Sequence, residues 1–130
     1  MTIKIRLTVL ILIPLAVTGC AEPPEAPLAI VRGRVTFRGS PLPGGSIVFT
    51  PDDESGGHGP CATGTIGPDG RFCLMTNGVA GAVAGKHRVA IAGPEGWPLP
   101  DKFLDPQLSN LKAEVFAGRE NVVNFKLEER

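Results

Sequence analysis

Apolar and polar residues alternate along much of the chain after residue 28, and this alternation predicts strands rather than helices. Over residues 29–38, Val31, Val35 and Phe37 fall in one phase. Arg32, Arg34, Thr36 and Arg38 fall in the other, which is the pattern of a half-buried strand. Residues 46–50 repeat it, with Ile47 and Phe49 inward. Residues 62–66 and 71–76 flank Gly67-Pro68-Asp69-Gly70, a turn sequence that predicts a hairpin with Ile66 opposite Arg71. Residues 86–92 return as a strand with His87, Val89 and Ile91 in phase, and 111–116 and 122–127 close the chain as a second hairpin across 117–121. Three stretches lack the pattern: a polar glycine-rich loop at 51–60, a small-residue loop at 77–85, and a proline-rich connection at 93–110. The phasing points Val35, Phe37, Phe49, Val89, Ile91, Val115 and Phe125 inward, and Arg34, Thr36, Arg88 and Lys112 outward. Seven short strands separated by turns imply an all-β, two-sheet sandwich with Greek-key connections.

The N-terminus follows a different pattern. Lys4 and Arg6 precede a run from Leu7 to Val17 that is apolar except at Thr8 and Pro14. About eleven residues are too few to span a bilayer core, which needs about 20. A cationic start, a short apolar middle and a small-residue exit read instead as a secretory signal over residues 1–19. Val17-Thr18-Gly19-Cys20 resembles the bacterial lipobox, which implies cleavage before Cys20 and acylation of its thiol. Two or three acyl chains anchor stably where one does not. Residues 20–28, with Pro23, Pro24 and Pro27, then form an extended tether of roughly 20 to 25 Å at about 3.1 Å per residue. Ala21 rather than an aspartate follows the cysteine, so by analogy with enteric sorting the expected location is the outer membrane of the cell envelope.

Composition sharpens this picture. The chain holds 17 glycines, 13 prolines and no tyrosine, which suits a small β domain full of turns. Its 13 cations balance 13 acids. Since Lys4 and Arg6 lie in the leader and no acid does, residues 20–130 carry a slight acidic excess. That balance argues against nucleic acid and against electrostatic binding to a membrane, leaving lipid as the anchor.

Several motifs resemble one family. Gly33-Arg34-Val35-Thr36-Phe37 followed by Gly39-Ser40-Pro41-Leu42-Pro43-Gly44 is similar to the opening of carboxypeptidase-regulatory-like, transthyretin-type domains, and Asp69-Gly70-Arg71-Phe72 to their central hairpin. The segment from Gly81 to Val89, together with Leu99-Pro100-Asp101-Lys102-Phe103, resembles a subgroup of small lipoproteins abundant in planctomycete-type bacteria. His87 and Phe103 stand where that subgroup commonly has tyrosine. The resemblance implies a seven-stranded, immunoglobulin-like Greek-key sandwich over residues 29–130 and a cell-envelope location. It implies no common activity. Related enzymes are excluded by inventory: hydroxyisourate hydrolases end in Tyr-Arg-Gly-Ser, and intradiol dioxygenases need tyrosine ligands for iron. Pilin-type isopeptide domains need a first-strand lysine, where this chain has Arg32, Arg34 and Arg38.

Candidate chemistry is sparse. His58-Gly59-Pro60-Cys61 with Asp52, Asp53 and Glu54 offers too few nitrogen and sulfur ligands for zinc or copper, so an envelope metal-binding protein ranks below the other readings. His87 reads as a partly buried core residue. Cys61 and Cys73 remain once Cys20 is acylated, and in an exported domain such a leftover pair is expected to be bonded as Cys61–Cys73. With Ile66 opposite Arg71 they fall on opposite faces, so a disulfide requires a bulge or an odd-length turn. No residue is assigned a catalytic role, and no cofactor or metal is expected. The expected function is a non-enzymatic envelope lipoprotein with a structural or adhesive role, whose partners are the membrane and envelope proteins or glycans. The alternative is a carbohydrate- or peptide-binding module using loops 51–60 and 93–110, with Trp97 as the candidate ligand residue.

Overall fold

The strand predicted at 29–38 is the spine of one sheet. In the computed structural model, which describes residues 27–128, it runs as β1 (Leu28–Ala29) and then β2 (Val31–Phe37). Val31, Val35 and Phe37 of β2 are buried, while Arg32 and Arg34 are exposed. Fully burying side chains of this size stabilises by roughly 1.5 to 3 kcal/mol each, which holds the phase of the strand. The chain continues through β3 (Ser40–Pro41), β4 (Ser46–Pro51), β5 (Ala62–Thr65), β6 (Arg71–Cys73), β7 (Met75–Thr76) and β8 (Val79–Ala80). Then come β9 (Ala82–Val83), β10 (Gly85–Ala92), β11 (Leu111–Val115), β12 (Asn121–Val122) and β13 (Phe125–Leu127). Short 3-10 turns lie at Asp53–Ser55 and Asp101–Leu104.

The strands form two open sheets in a sandwich-like, all-β arrangement. Sheet I has the order β11-β10-β4-β5-β7-β8. Sheet II is built on β2, with β12 and β13 parallel on one side and β3 and β6 antiparallel on the other. A two-stranded ribbon joins β1 to β9. The seven stretches read as strands all carry one, and every residue of the predicted inward set is buried. Between the sheets lies an aromatic cluster centred on Phe49. Its ring centroid lies 6.5 Å from Phe72, 6.0 Å from Phe125 and 5.7 Å from the imidazole of His87. Phe49 and His87 come from sheet I, Phe72 and Phe125 from sheet II, so one group of rings bonds the two layers.

Three departures from the sequence reading have clear causes. Segments 111–116 and 122–127 do not form a hairpin. β11 pairs with β10 in sheet I, whereas β12 and β13 run parallel to β2 in sheet II. Asn121, buried at the crossing, accepts from the Phe116 N–H (2.9 Å) and donates to the carbonyls of Phe116, Arg119 and Ile30. Those bonds fix the corner that carries the chain between layers. Second, residues 77–85 are not a plain loop: Asn77 and Gly78, both at positive φ, make the two-residue turn between β7 and β8. Third, the turn at Gly67 closes on Arg71 rather than placing Ile66 there: the Gly67 N–H donates to Arg71 O at 2.8 Å, and Gly70 has φ 81°. This is a three-residue loop whose last residue is left-handed.

The shifted register also decides the cysteines. Thr63 pairs with Met75, and continuing that register sets Cys73 opposite Thr65, four residues along from Cys61. At about 3.3 Å per residue the gap is about 13 Å, well beyond disulfide reach. The odd-length turn does bring the two into one phase, but both are free, exposed thiols and the expected bridge is not formed.

Candidate functional site

Trp97, the ligand residue proposed from sequence, sits on the long connection after β10. Pro94 O accepts from the Trp97 N–H at 3.1 Å, and Gly96 in the turn has φ 82°. Positive φ at the third residue is what a type II turn requires, hence glycine there. The turn sets the indole edge-on to Phe37, with centroids 6.4 Å apart and planes at 63°. Aromatic pairs prefer such geometry because the positive ring edge meets the negative face of its neighbour. Trp97 remains 39% exposed, enough to present an aromatic surface to solvent.

The opposite wall comes from the hairpin between β2 and β3. Phe37 pairs with Ser40 across Arg38 and Gly39, whose φ values are 53° and 82°. This is a two-residue turn of the kind that normally carries asparagine first. An arginine there holds a left-handed backbone at a cost of order 1 kcal/mol or more. Its guanidinium lies over the Phe37 ring, 4.9 Å from the centroid. Together Phe37, Arg38, Ser40, Gly96, Trp97 and Pro98 line a cleft of about 360 Å³. It offers an aromatic face, a cation and a hydroxyl, the chemistry that recognises a sugar ring or an extended peptide.

The second predicted loop, 51–60, does not join this cleft. It is organised by Asp52, whose Oδ1 accepts from the Glu54 N–H and from Arg88 Nε (both 3.2 Å) and whose Oδ2 accepts from the Ser55 hydroxyl at 3.0 Å. Arg88 also donates to Glu54 at 2.8 Å. Burial works to raise the Asp52 pKa, but the Ser55 and Arg88 contacts and the Glu54 N–H outweigh it, and the carboxyl lies below its ordinary value. Arg88, predicted to point into solvent, lies on the outer face as expected but is only 15% exposed because Asp52 and Glu54 enclose it. Asp52 and Glu54 are thus engaged in holding the loop to β10. Asp52 and Ser55 also border a smaller cleft of about 310 Å³ with Lys86, His87, Lys112 and Glu114.

His58 is exposed, and among the described residues no group of three or more His, Cys, Asp or Glu side chains is placed to hold a metal ion. His87 is buried, at 1% exposure, and its Nε2–H donates to Val83 O at 2.8 Å. Its Nδ1 has no partner. Burial lowers its pKa, partly opposed by the Val83 carbonyl, so the ring is neutral at neutral pH. Cys61 Sγ lies 3.7 Å from Thr50 Oγ1 on the outer face of sheet I. Cys73 is paired in register with Arg32 on the outer face of sheet II. Cys20 and the tether as far as residue 26 lie outside the described residues.

The sequence reading did not single out Phe37, Arg38 and Ser40 as site residues. The signal was available only in part: a two-residue turn ending in glycine could be read at Arg38-Gly39, but not that residue 97 would fold back against it. No protein-family model matches the chain, and a comparison with curated proteins found no match. Among solved structures, the chain is similar to the crystal structure of a DUF3823 family protein from Parabacteroides merdae, at 19% identity and a TM-score of 0.44. That similarity covers 78% of this chain and 46% of the other, so the chain spans less than half the length of that neighbour.

Proposed function

We propose that this chain is a non-catalytic cell-envelope protein, held in a membrane, the outer one by the sorting analogy, by lipid on Cys20, with a structural or adhesive role. The domain is read as a carboxypeptidase-regulatory-like, transthyretin-type sandwich, its seven principal strands in Greek-key, immunoglobulin-like order. The observation that carries the reading is the sequence Val17-Thr18-Gly19-Cys20 closing a short apolar run behind Lys4 and Arg6. The placing of the residue types that do chemistry supports it: His87 is enclosed in the core, Asp52 is held by Ser55 and Arg88, and the two thiols stand apart. Replacing Cys20→Ser is expected to leave an uncleaved precursor that no longer incorporates labelled palmitate. Normal processing of that variant would sink the lipoprotein reading.

The exposed Trp97 face in its cleft favours a second reading, in which the domain binds a carbohydrate or peptide. On glycan and peptide arrays probed with the acylated protein in detergent, Trp97→Ala is expected to weaken any specific signal. A stacked, central aromatic is worth about 2 kcal/mol, about thirtyfold in affinity. Binding that survives the substitution unchanged would place the ligand elsewhere.

A further inference from the structure

The slight acidic excess after the leader averages over a surface on which cations are not evenly spread. On the outer face of sheet II, Arg32 and Arg34 from β2, Arg71 from β6 and Lys126 from β13 border one open depression of about 620 Å³, with Cys73 and Asn124 among them. Arg32 is paired with Glu120, and Arg71 with Asp69 at 3.4 Å, at the margins of the face. Both cations remain more than half exposed. Among the described residues Arg34 and Lys126 have no carboxylate partner.

At the end where the chain enters the domain, this face acquires an apolar fringe. Ile30, in phase with Arg32, is 46% exposed, and Val122, paired with Arg32, is 56% exposed. Phe116, at the corner beyond β11 of sheet I, is 44% exposed beneath the guanidinium of Arg119, 4.3 Å from its centroid. Asn121 holds the backbones of Ile30 and Phe116 side by side. Arginine with aliphatic and aromatic side chains at the border of a basic face is the composition that settles at the headgroup level of a bilayer.

We infer that the outer face of sheet II is the side of the domain that rests on anionic lipid headgroups of the membrane carrying its own anchor. The inference rests on the lipidation of Cys20 proposed above. The length of chain outside the described residues argues for this occupant. Eight residue steps separate Cys20 from Leu28, which reach about 25 to 28 Å when extended. β2, seven residues long, spans about 23 Å, so the tether is long enough for the sheet to lie flat and too short to carry it far away. Tethering makes the contact intramolecular, so that modest electrostatics suffice.

The two thiols supply the test, because Cys73 lies within the basic face and Cys61 on the outer face of the opposite sheet. The acylated protein is incorporated into phosphatidylcholine vesicles with or without phosphatidylglycerol, floated, and treated with a membrane-impermeant maleimide. On anionic vesicles alkylation of Cys73 relative to Cys61 is expected to slow by about fivefold or more, on the scale of one cation's attraction to such a surface. The ratio should recover on neutral vesicles, in high salt, and in an Arg34→Glu, Lys126→Glu double variant, whose sites are exposed. Protein that floats with the same ratio on both vesicle types overturns the docking alone. Protein that does not float overturns the anchor and the docking together. A soluble anionic polysaccharide that shields Cys73 as well as the vesicles do would overturn lipid as the occupant.

Discussion

Phe49→Ala is expected to cost about 3 to 5 kcal/mol of folding stability, because it deletes a fully enclosed ring and leaves a cavity that neighbours cannot fill. Phe49 is 0% exposed and touches rings from both sheets, Phe72 and Phe125 on one side and His87 on its own. Among the described residues no other side chain bridges the layers with so many aromatic partners. A domain of this size has roughly 5 to 15 kcal/mol in total, so the variant should unfold at a much lower urea midpoint or fail to accumulate. Arg34→Ala, on the outward phase of β2, should shift stability by about 0.5 kcal/mol or less. Phe49→Leu keeps most of the volume and should lose about 1.5 kcal/mol or less. Urea unfolding of the three proteins checks the ranking. A loss below about 1 kcal/mol for Phe49→Ala would mean that the sheets are not held together through this ring.

The second large effect is expected at Asn121. Its amide is the bond between layers at the C-terminal crossing, serving the N–H of Phe116 and three carbonyls. Asn121→Ala removes all of these and leaves the Phe116 N–H and the carbonyls of Phe116 and Arg119 to find water in a part-buried corner, while Ile30 O keeps the backbone N–H of residue 121, at about 2 to 3 kcal/mol. Asn121→Asp is the sharper probe. At neutral pH a carboxylate cannot donate, and it would face the carbonyl oxygens of Ile30, Phe116 and Arg119, so this variant should be less stable than the alanine one. Acidification should recover part of the loss, since a protonated aspartate regains a donor. Equal stability of Asn and Asp variants at neutral pH, measured by thermal unfolding, would show that the corner is held by something else. Because β12 and β13 add to β2 only after this crossing, the loss should appear first as faster amide exchange in Asn121–Val122 and Phe125–Leu127.

Local pattern was informative wherever a physical rule acts over a few residues. The period-two alternation of Val31 to Phe37, Ser46 to Pro51 and His87 to Ile91 specified which side chains enter the core, since a one-residue slip would turn arginines inward. Positive φ at Gly70 and at Asn77-Gly78 was equally legible in principle. Read fully, Gly-Pro-Asp-Gly implies the three-residue loop that puts Cys61 and Cys73 in one phase but four residues apart along the strands, and Asn-Gly implies the small hairpin that Thr76 and Val79 close.

Other features have no local cause. Phase says that Phe125 and Leu127 face inward, but not which sheet they join. Their parallel pairing with Val35 and Phe37 is made between segments about ninety residues apart, and it depends on the missing side chain of Gly33, whose place the Val123 carbonyl occupies. The cleft at Trp97 arises in the same way: a turn sequence positions the indole, and the meeting with Phe37 and Arg38 is decided by how the long connection, held to β10 of sheet I, comes up against the turn between β2 and β3. The basic face is the plainest case. Arg32, Arg34, Arg71 and Lys126 are scattered through a chain of zero net charge, and they gather because three strands from distant segments share one outward side. Alternation is a property of one strand, read over neighbouring residues. Adjacency between strands is settled by which buried surfaces and hydrogen-bond edges fit together, and that is a property of the whole chain.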